Sequence, residues 1–243
     1  MQDTIKIVSD RKPLMVAHRG VSGLETENTN SAFIAAGNRS YYGIETDVRP
    51  SRDGVYICFH DNNTQRIGYD NLIPEETSFE TLMNLHLQPV EGQQPRNDIR
   101  IATMQDYIRI CKHYGKTPVM EIKRHGMNEA QMTELCNIVA AEGYLDETII
   151  IDFDLNNLIV ARKLYPNLRL QYLIPKTVPD DLIETLNTYQ LDLDIYHGAL
   201  TKELADRVHA AGHKINVWTV DRPEDAQRVI DLGVDFITTN ILE

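Results

Sequence analysis

Two histidines stand where apolar runs give way to polar residues. His18 closes Leu14-Met15-Val16-Ala17 and leads into Arg19 and Gly20, while His60 closes Val55-Tyr56-Ile57-Cys58-Phe59 and leads into Asp61. Between them, Glu45-Thr46-Asp47 places two carboxylates on alternate residues. Glu121-Ile122-Lys123 later repeats that spacing with an acid and a base. Histidine exchanges protons near neutral pH. Carboxylate oxygens hold hard divalent ions, and fixed cations receive an anion. These are the groups that hydrolysis of a phosphate ester requires.

Their positions depend on the elements that carry them. β-rich runs occur at 14–18, 44–48, 117–122, 147–152, 168–174, 193–196, 214–220 and 234–238, and helical spacing at 28–40, 103–114, 128–143, 154–165, 179–190, 201–212 and 223–232. Strands this apolar are buried on both faces, which implies a parallel sheet covered by helices. Eight such strands close a barrel. The pattern therefore predicts an α/β chain with the TIM (β/α)8 fold, a single catalytic domain over 1–243. Asp221-Arg222-Pro223, Thr201-Lys202-Glu203 and Pro179-Asp180-Asp181 mark helix starts, and Gly143, Gly212 and Gly233 stand where helices should stop.

Two irregularities interrupt this order. Only five residues follow Thr238, too few for an eighth helix, so the barrel should be incomplete there or covered by another segment. Residues 61–102 break the alternation after His60, with Pro74, Pro89, Pro95, Gly68 and Gly92 and one short helical candidate at 78–86. Long segments of this kind are more often binding loops than linkers. This one reads as an insertion after the second barrel strand, lying over the active end. Its apolar residues Leu72, Ile73, Phe79, Leu82, Leu85 and Leu87 are expected to pack it down.

Residues two apart on a strand share a face. Glu45 with Asp47, and Glu121 with Lys123, then project into the barrel at its C-terminal mouth, beside His18. That mouth is where barrel enzymes keep their active sites. Three carboxylates crowded there repel one another unless a cation sits among them, and oxygen-only ligands select Mg²⁺ or Ca²⁺ over zinc. With a divalent ion and the charges of Arg19 and Lys123, the balance becomes positive by one, matching one phosphodiester. Each piece alone has a plainer reading: His18 as a structural histidine, Glu45-Thr46-Asp47 as a solvated strand end, Glu121 with Lys123 as a rim ion pair. Their joint placement at one mouth favours chemistry. Asp61 either orients His60 or caps a turn, and Asn28 reads as the cap of the helix that follows it.

Composition bounds the partners. A net charge of −12 with no basic tract argues against nucleic acid and anionic membrane. No apolar run reaches the 18 residues that a membrane span needs. The start Met1-Gln2-Asp3-Thr4-Ile5-Lys6 lacks the order of a signal peptide. Cys58, Cys111 and Cys136 are widely spaced in apolar context, which reads as buried thiols and favours a reducing, cytoplasmic compartment. An exported form with its leader removed would also fit.

The ordered set His18-Arg19-Gly20, Glu27-Asn28-Thr29, Ala32-Phe33, Glu45-Thr46-Asp47-Val48, Asp53-Gly54, His60-Asp61, Glu121-Ile122-Lys123 and Val217-Trp218-Thr219-Val220 resembles the signature of the glycerophosphodiester phosphodiesterase family. The resemblance spans nearly the whole chain, including the insertion after the His-Asp pair. It implies metal-dependent hydrolysis of a small glycerophosphodiester to glycerol 3-phosphate and an alcohol. His18 and His60 would be the acid and base, and Glu45, Asp47 and Glu121 would hold one divalent cation. Arg19 and Lys123 would contact phosphate. Trp218 would flank the glycerol, Glu27 and Asn28 would shape the loop after the first strand, and Gln171 would reach the mouth.

The attacking group would be the glycerol 2-hydroxyl, through a cyclic phosphate, or water directly. Ala102-Thr103-Met104 departs from a Pro-Thr-Leu-like helix start, and Thr64-Gln65-Arg66-Ile67 is a loose version of what usually follows the His-Asp pair. Both departures bear on substrate preference more than on chemistry. A phospholipase D-like relative acting on lysolipid or sphingolipid headgroups is the enzyme alternative, and it needs an apolar route for an acyl chain. A catalytically silent phosphodiester-binding barrel is the other, although every position that such relatives lose is filled here.

Overall fold

The computed structural model describes residues 3–243. Eight parallel strands form the barrel: β1 (Leu14–Ala17), β2 (Gly43–Pro50), β4 (Thr117–Ile122), β5 (Ile149–Asp152), β6 (Arg169–Ile174), β7 (Asp192–Tyr196), β8 (Ile215–Trp218) and β9 (Phe236–Thr239). β1 pairs in parallel with both β2 and β9, which closes the ring. The short β3 (Tyr56–Cys58) lies outside it. Seven helices cover the barrel: α1 (Asn30–Gly37), α3 (Met104–Tyr114), α4 (Glu129–Ala141), α5 (Leu155–Leu164), α6 (Leu182–Tyr189), α7 (Lys202–Ala210) and α8 (Pro223–Leu232). The remaining α-helix, α2 (Phe79–Met83), belongs to the insertion, as does a single 3-10 turn at Pro74–Glu76.

Strand alternation sorts the apolar side chains into two sets. Val16, Val119, Ile149, Ile151, Leu173 and Phe236 form one buried cluster inside the ring. Their strand neighbours Ala17, Met120, Ile122, Ile150 and Ile174 join the helices in the larger outer core. Helix ends obey local chemistry. Thr103 and Thr201 cap α3 and α7 through their hydroxyls, Asn128 and Gln131 form a reciprocal capping box on α4, and Gly233 ends α8 in the left-handed conformation. α6 starts at Leu182, beyond Pro179, without a side-chain cap. All three cysteines are buried and unpaired.

Among the described residues no helix follows β9. The N-terminal segment covers that gap. Ile5 pairs with Leu242, its N–H donates to Ile241 O at 3.0 Å, and Glu243 N–H donates to Ile5 O at 2.7 Å.

β2 overshoots the mouth because it has eight residues where β1 has four. It turns at Gly54 (φ +83) and returns as β3, antiparallel, with Val48 opposite Cys58. His60 therefore descends into the mouth on the return arm of a hairpin, whereas His18 rises into it from a barrel strand. The insertion packs on that arm. Ile67, Leu82, Leu85, Leu87, Ile99 and Ile101 bury against Ile57 and Phe59, with Leu72 and Phe79 at the edge. Ile73 is the exception and stays exposed. α2 stops at Met83, short of the expected 86, because Leu87 leaves the helix to bridge Gly68.

Candidate active site

The loop after β1 is built from left-handed backbone. Arg19, Gly20 and Asn28 have φ of +54, +78 and +56. Only glycine fits at position 20, where an added Cβ would lie 2.7 Å from the Ala32 carbonyl carbon. Gly20→Ala should cost about 1–3 kcal/mol. For a chain of this length that lowers the unfolding midpoint by roughly 2–4 °C per kcal/mol. A thermal melt indistinguishable from wild type would contradict the packing described.

This turn aims two side chains and a backbone group at β2. The Arg19 N–H donates to Glu45 Oε2 at 2.7 Å, and its guanidinium reaches Glu27 Oε1 at 2.9 Å and Asp47 Oδ2 at 3.2 Å. Burial weakens the Arg19 charge, but Asp47 and Glu27 outweigh it and hold the proton. His18 Nδ1 lies 2.7 Å from Asn240 Oδ1, and its Nε2 lies 3.9 Å from Glu45 Oε2. Burial, followed by the Arg19 charge, lowers His18 to about 4, so its ring is neutral at pH 7.

Asn28 does not cap α1. Thr29 does, accepting from Ala32 N at 3.3 Å. The left-handed backbone at Asn28 turns its amide inward instead, to donate to Asp47 Oδ2 at 2.9 Å and to accept from Thr46 Oγ1 at 2.7 Å.

Across the mouth, Lys123 Nζ stands 2.6 Å from Glu121 Oε1 and 3.6 Å from Asp47 Oδ1. Burial opposes the Lys123 charge, and the two carboxylates restore it. One ligand oxygen each from Glu45, Asp47 and Glu121 falls within a 4.8 Å span. Burial and the neighbouring Asp47 charge raise Glu121 to about 7, and the same two causes push Glu45 well above its usual range. Burial would raise Asp47 too, but Arg19 and Lys123 hold it well below the carboxylate range. Asp47 Oδ1 is buried without a hydrogen-bond partner among the described residues. An orphaned carboxylate oxygen facing two carboxylates that resist ionisation fits a hard divalent cation. Glu45, Asp47 and Glu121 are the residues that would hold it.

His60 Nδ1 lies 2.6 Å from Asp61 Oδ1, so Asp61 orients the ring. Arg66 of the insertion donates to Asp61 Oδ2 and to Glu27 Oε1, each at 2.6 Å, tying the His60 support to the loop after β1. Arg49, buried on β2, donates to His60 O and Asn62 Oδ1, each at 2.8 Å, and pins the descending arm. Burial lowers the His60 pKa, against the pull of Asp47.

A pocket of about 290 Å³ brings His18, Arg19, Glu45, His60, Glu121 and Trp218 together. Asp47 and Lys123 stand in contact with its acidic wall. The Trp218 ring meets Phe153 at 5.7 Å and Tyr196 at 5.9 Å, forming an aromatic side opposite the charges. Gln171 lies inside the barrel but not in the pocket wall. Its Oε1 accepts from Asn216 Nδ2 at 3.1 Å, deeper in the ring. A larger groove, about 1040 Å³, lies outside the barrel beside α3 and α4 and lacks any such cluster.

Several supporting residues escape the reading of local motifs. Asn240 and Asp221 hold His18, Arg49 and Arg66 hold the His60 arm, and Asp194 lines the pocket with one unpartnered oxygen. Period-two spacing from Phe236 through Thr238 places Asn240 on the inner face, and that signal was available. Asp221 stands among residues that mark a helix start, which masks its part in the site.

A (β/α)8 barrel with paired histidines and a carboxylate triad at its C-terminal mouth belongs to the class of phosphate-ester hydrolases by layout. The sequence profile of the Glycerophosphoryl diester phosphodiesterase family matches residues 18–243, and the chain belongs to that family. A glycerophosphodiester phosphodiesterase of Caldanaerobacter subterraneus is 27% identical over 230 residues, covering 94% of each chain. Another, from Bacillus subtilis, is 25% identical, covering 96% of this chain and 85% of that protein. Among solved structures, an Oleispira antarctica phosphodiesterase in complex with the product sn-glycerol-3-phosphate superposes with a TM-score of 0.83 at 24% identity, covering 94% of this chain and 93% of that one. No helix among the described residues is long and apolar enough to cross a membrane.

Proposed function

We propose that this protein, acting through one catalytic domain, hydrolyses glycerophosphodiesters to glycerol 3-phosphate and an alcohol. The observation that carries the reading is the pocket in which His18 and His60 share walls with Arg19, Glu45 and Glu121. The family, its curated phosphodiesterases and the product held by the Oleispira protein support the same substrate class.

Arg19 and Lys123 receive the nonbridging phosphate oxygens as fixed donors. One histidine takes the proton of the attacking hydroxyl, whether water or the glycerol 2-hydroxyl. The other returns a proton to the alkoxide as its P–O bond breaks. With a divalent ion on Glu45, Asp47 and Glu121, the site gains a Lewis acid that stabilises charge on the phosphate. The aromatic side at Trp218 and Phe153 covers carbon atoms of the substrate and excludes water. Three buried, unpaired thiols are in keeping with a reducing, cytoplasmic compartment.

The test is a panel of glycerophosphodiesters, with lysophosphatidylcholine as the acyl-bearing comparison, in the presence of Mg²⁺ or Ca²⁺. Release of glycerol 3-phosphate from the deacylated diesters, read by a coupled dehydrogenase, is expected. Turnover of lysophosphatidylcholine alone would replace this reading with the lysolipid one. The insertion argues against that outcome, since its apolar residues, Ile73 apart, are buried against one another and against Ile57 and Phe59.

A further inference from the structure

Beneath the pocket, the inner wall of the barrel changes from apolar to polar. Ile151 and Leu173 line the pocket from the buried apolar cluster. Asp194 stands in register beside Leu173, and Asn216 stands beside Asp194. Both polar residues are 1% exposed. They share the inner face with Tyr196 and Trp218, two residues further along the same strands, and so lie roughly 7 Å deeper. Branched apolar side chains ordinarily fill this level of a barrel, and a carboxyl here calls for a cause.

The neighbouring side chains satisfy only half of that carboxyl. Asn216 Nδ2 donates to Gln171 Oε1 at 3.1 Å and to Asp194 Oδ2 at 3.3 Å, while Asn216 Oδ1 accepts from Thr238 Oγ1 at 3.1 Å. Both amide hydrogens of Asn216 are engaged, and the hydroxyl hydrogen of Thr238 is engaged too. Asp194 Oδ1 has no partner among the described residues, although Asp194 lines the pocket. It stands outside the cluster of ligand oxygens that Glu45, Asp47 and Glu121 form, so a cation held there does not account for it. A buried polar atom left in this state is costly unless a ligand completes it.

Resting on the hydrolysis proposed for this pocket, we infer that Asp194 recognises the glycerol, its Oδ1 pairing with the terminal hydroxyl two carbons from the phosphate-bearing carbon. A hydroxyl both donates and accepts, so it can complete the carboxyl in either protonation state. The 2-hydroxyl adjoins the phosphate-bearing carbon and stays with the phosphate at the charged wall. The terminal hydroxyl is the one free to reach the floor, with the Trp218 ring over the carbons between. The variable alcohol then points out of the mouth, where it can leave. An acyl group on the terminal hydroxyl would remove its hydrogen and meet Ile151 and Leu173.

The test compares sn-glycero-3-phosphocholine with 2-hydroxypropyl phosphocholine, which lacks only the terminal hydroxyl. Choline release is read for both, with Mg²⁺ or Ca²⁺ present. The wild-type enzyme should favour the glycerol ester by about 10–100-fold in kcat/KM. Asp194→Ala should bring the two esters to within about threefold of each other, by losing rate on the glycerol ester. Asp194→Asn can accept from Asn216 on its amide oxygen and turn an N–H towards the hydroxyl. It should keep a preference of at least about fivefold. Equal rates on the two esters with the wild-type enzyme would overturn the inference, and that result needs no variant. So would a folded Asp194→Ala enzyme that keeps the full preference at whatever rate, or an Asp194→Asn enzyme with none. Choline release from neither ester by the wild type would instead strike down the proposed hydrolysis, and this inference with it.

Discussion

His60→Ala should lower kcat by about 10²–10⁴-fold, the usual worth of a positioned proton-transfer group. Folding should be spared. The His60 side chain is about one-third exposed, and its one side-chain partner among the described residues is Asp61, which keeps the Arg66 guanidinium on its other oxygen. Removing the ring therefore leaves no buried unpaired charge, and the backbone arm stays pinned by Arg49. KM should move less than kcat, because Arg19 and Lys123 still receive the phosphate. His18→Ala should cause a loss of the same order, but it exposes the Asn240 network and should cost more stability. Steady-state kinetics beside a thermal melt decide the matter. Turnover in both variants within a few-fold of wild type would remove the two histidines from the chemistry.

Two-residue spacing makes much of this site legible in the sequence. Glu45 with Asp47, and Glu121 with Lys123, had to share the inner face of neighbouring strands, and Asp47 lies in register with Glu121. What escaped depends on chain crossings that local sequence does not encode. Asn240 meets His18 across 222 residues, because β9 closes onto β1. Asn28 looks like a cap because it precedes a helix, yet the next residue, Thr29, caps equally well and frees Asn28 for Asp47. Arg49 lies past the strand expected at 44–48, and the overshoot of β2 buries it beneath the hairpin. The barrel and its acidic mouth follow from periodicity, whereas the supports of both histidines follow from topology.

Chelation should abolish turnover, and Mg²⁺ or Ca²⁺ should restore it, with a pH signature in stability that a loosely associated ion would not give. Glu121 is raised to about 7 and Glu45 well above its ordinary 4.5, burial and then the Asp47 charge being the causes in both. A carboxyl raised in the folded state binds its proton more tightly there than in the unfolded chain. Its contribution is therefore full below about 4.5 and disappears as pH rises through about 7. Asp47 is displaced in the opposite direction, and its contribution is already complete above its unfolded value. The raised carboxyls therefore lower the thermal stability of the metal-free protein between pH 5 and pH 8, while His18, lowered to about 4, offsets part of that loss up to its ordinary 6.5. An ion binding the ionised triad opposes that loss and must displace protons to do so at the lower pH. At about 100 times its dissociation constant, the ion adds roughly 2.7 kcal/mol. In a chain of this size that amounts to about 5–10 °C in the unfolding midpoint. The gain should be large at pH 8 and small at pH 5. An equal gain at both pH values would place the ion elsewhere, and full activity after exhaustive chelation would leave Arg19 and Lys123 as the only cations serving the phosphate.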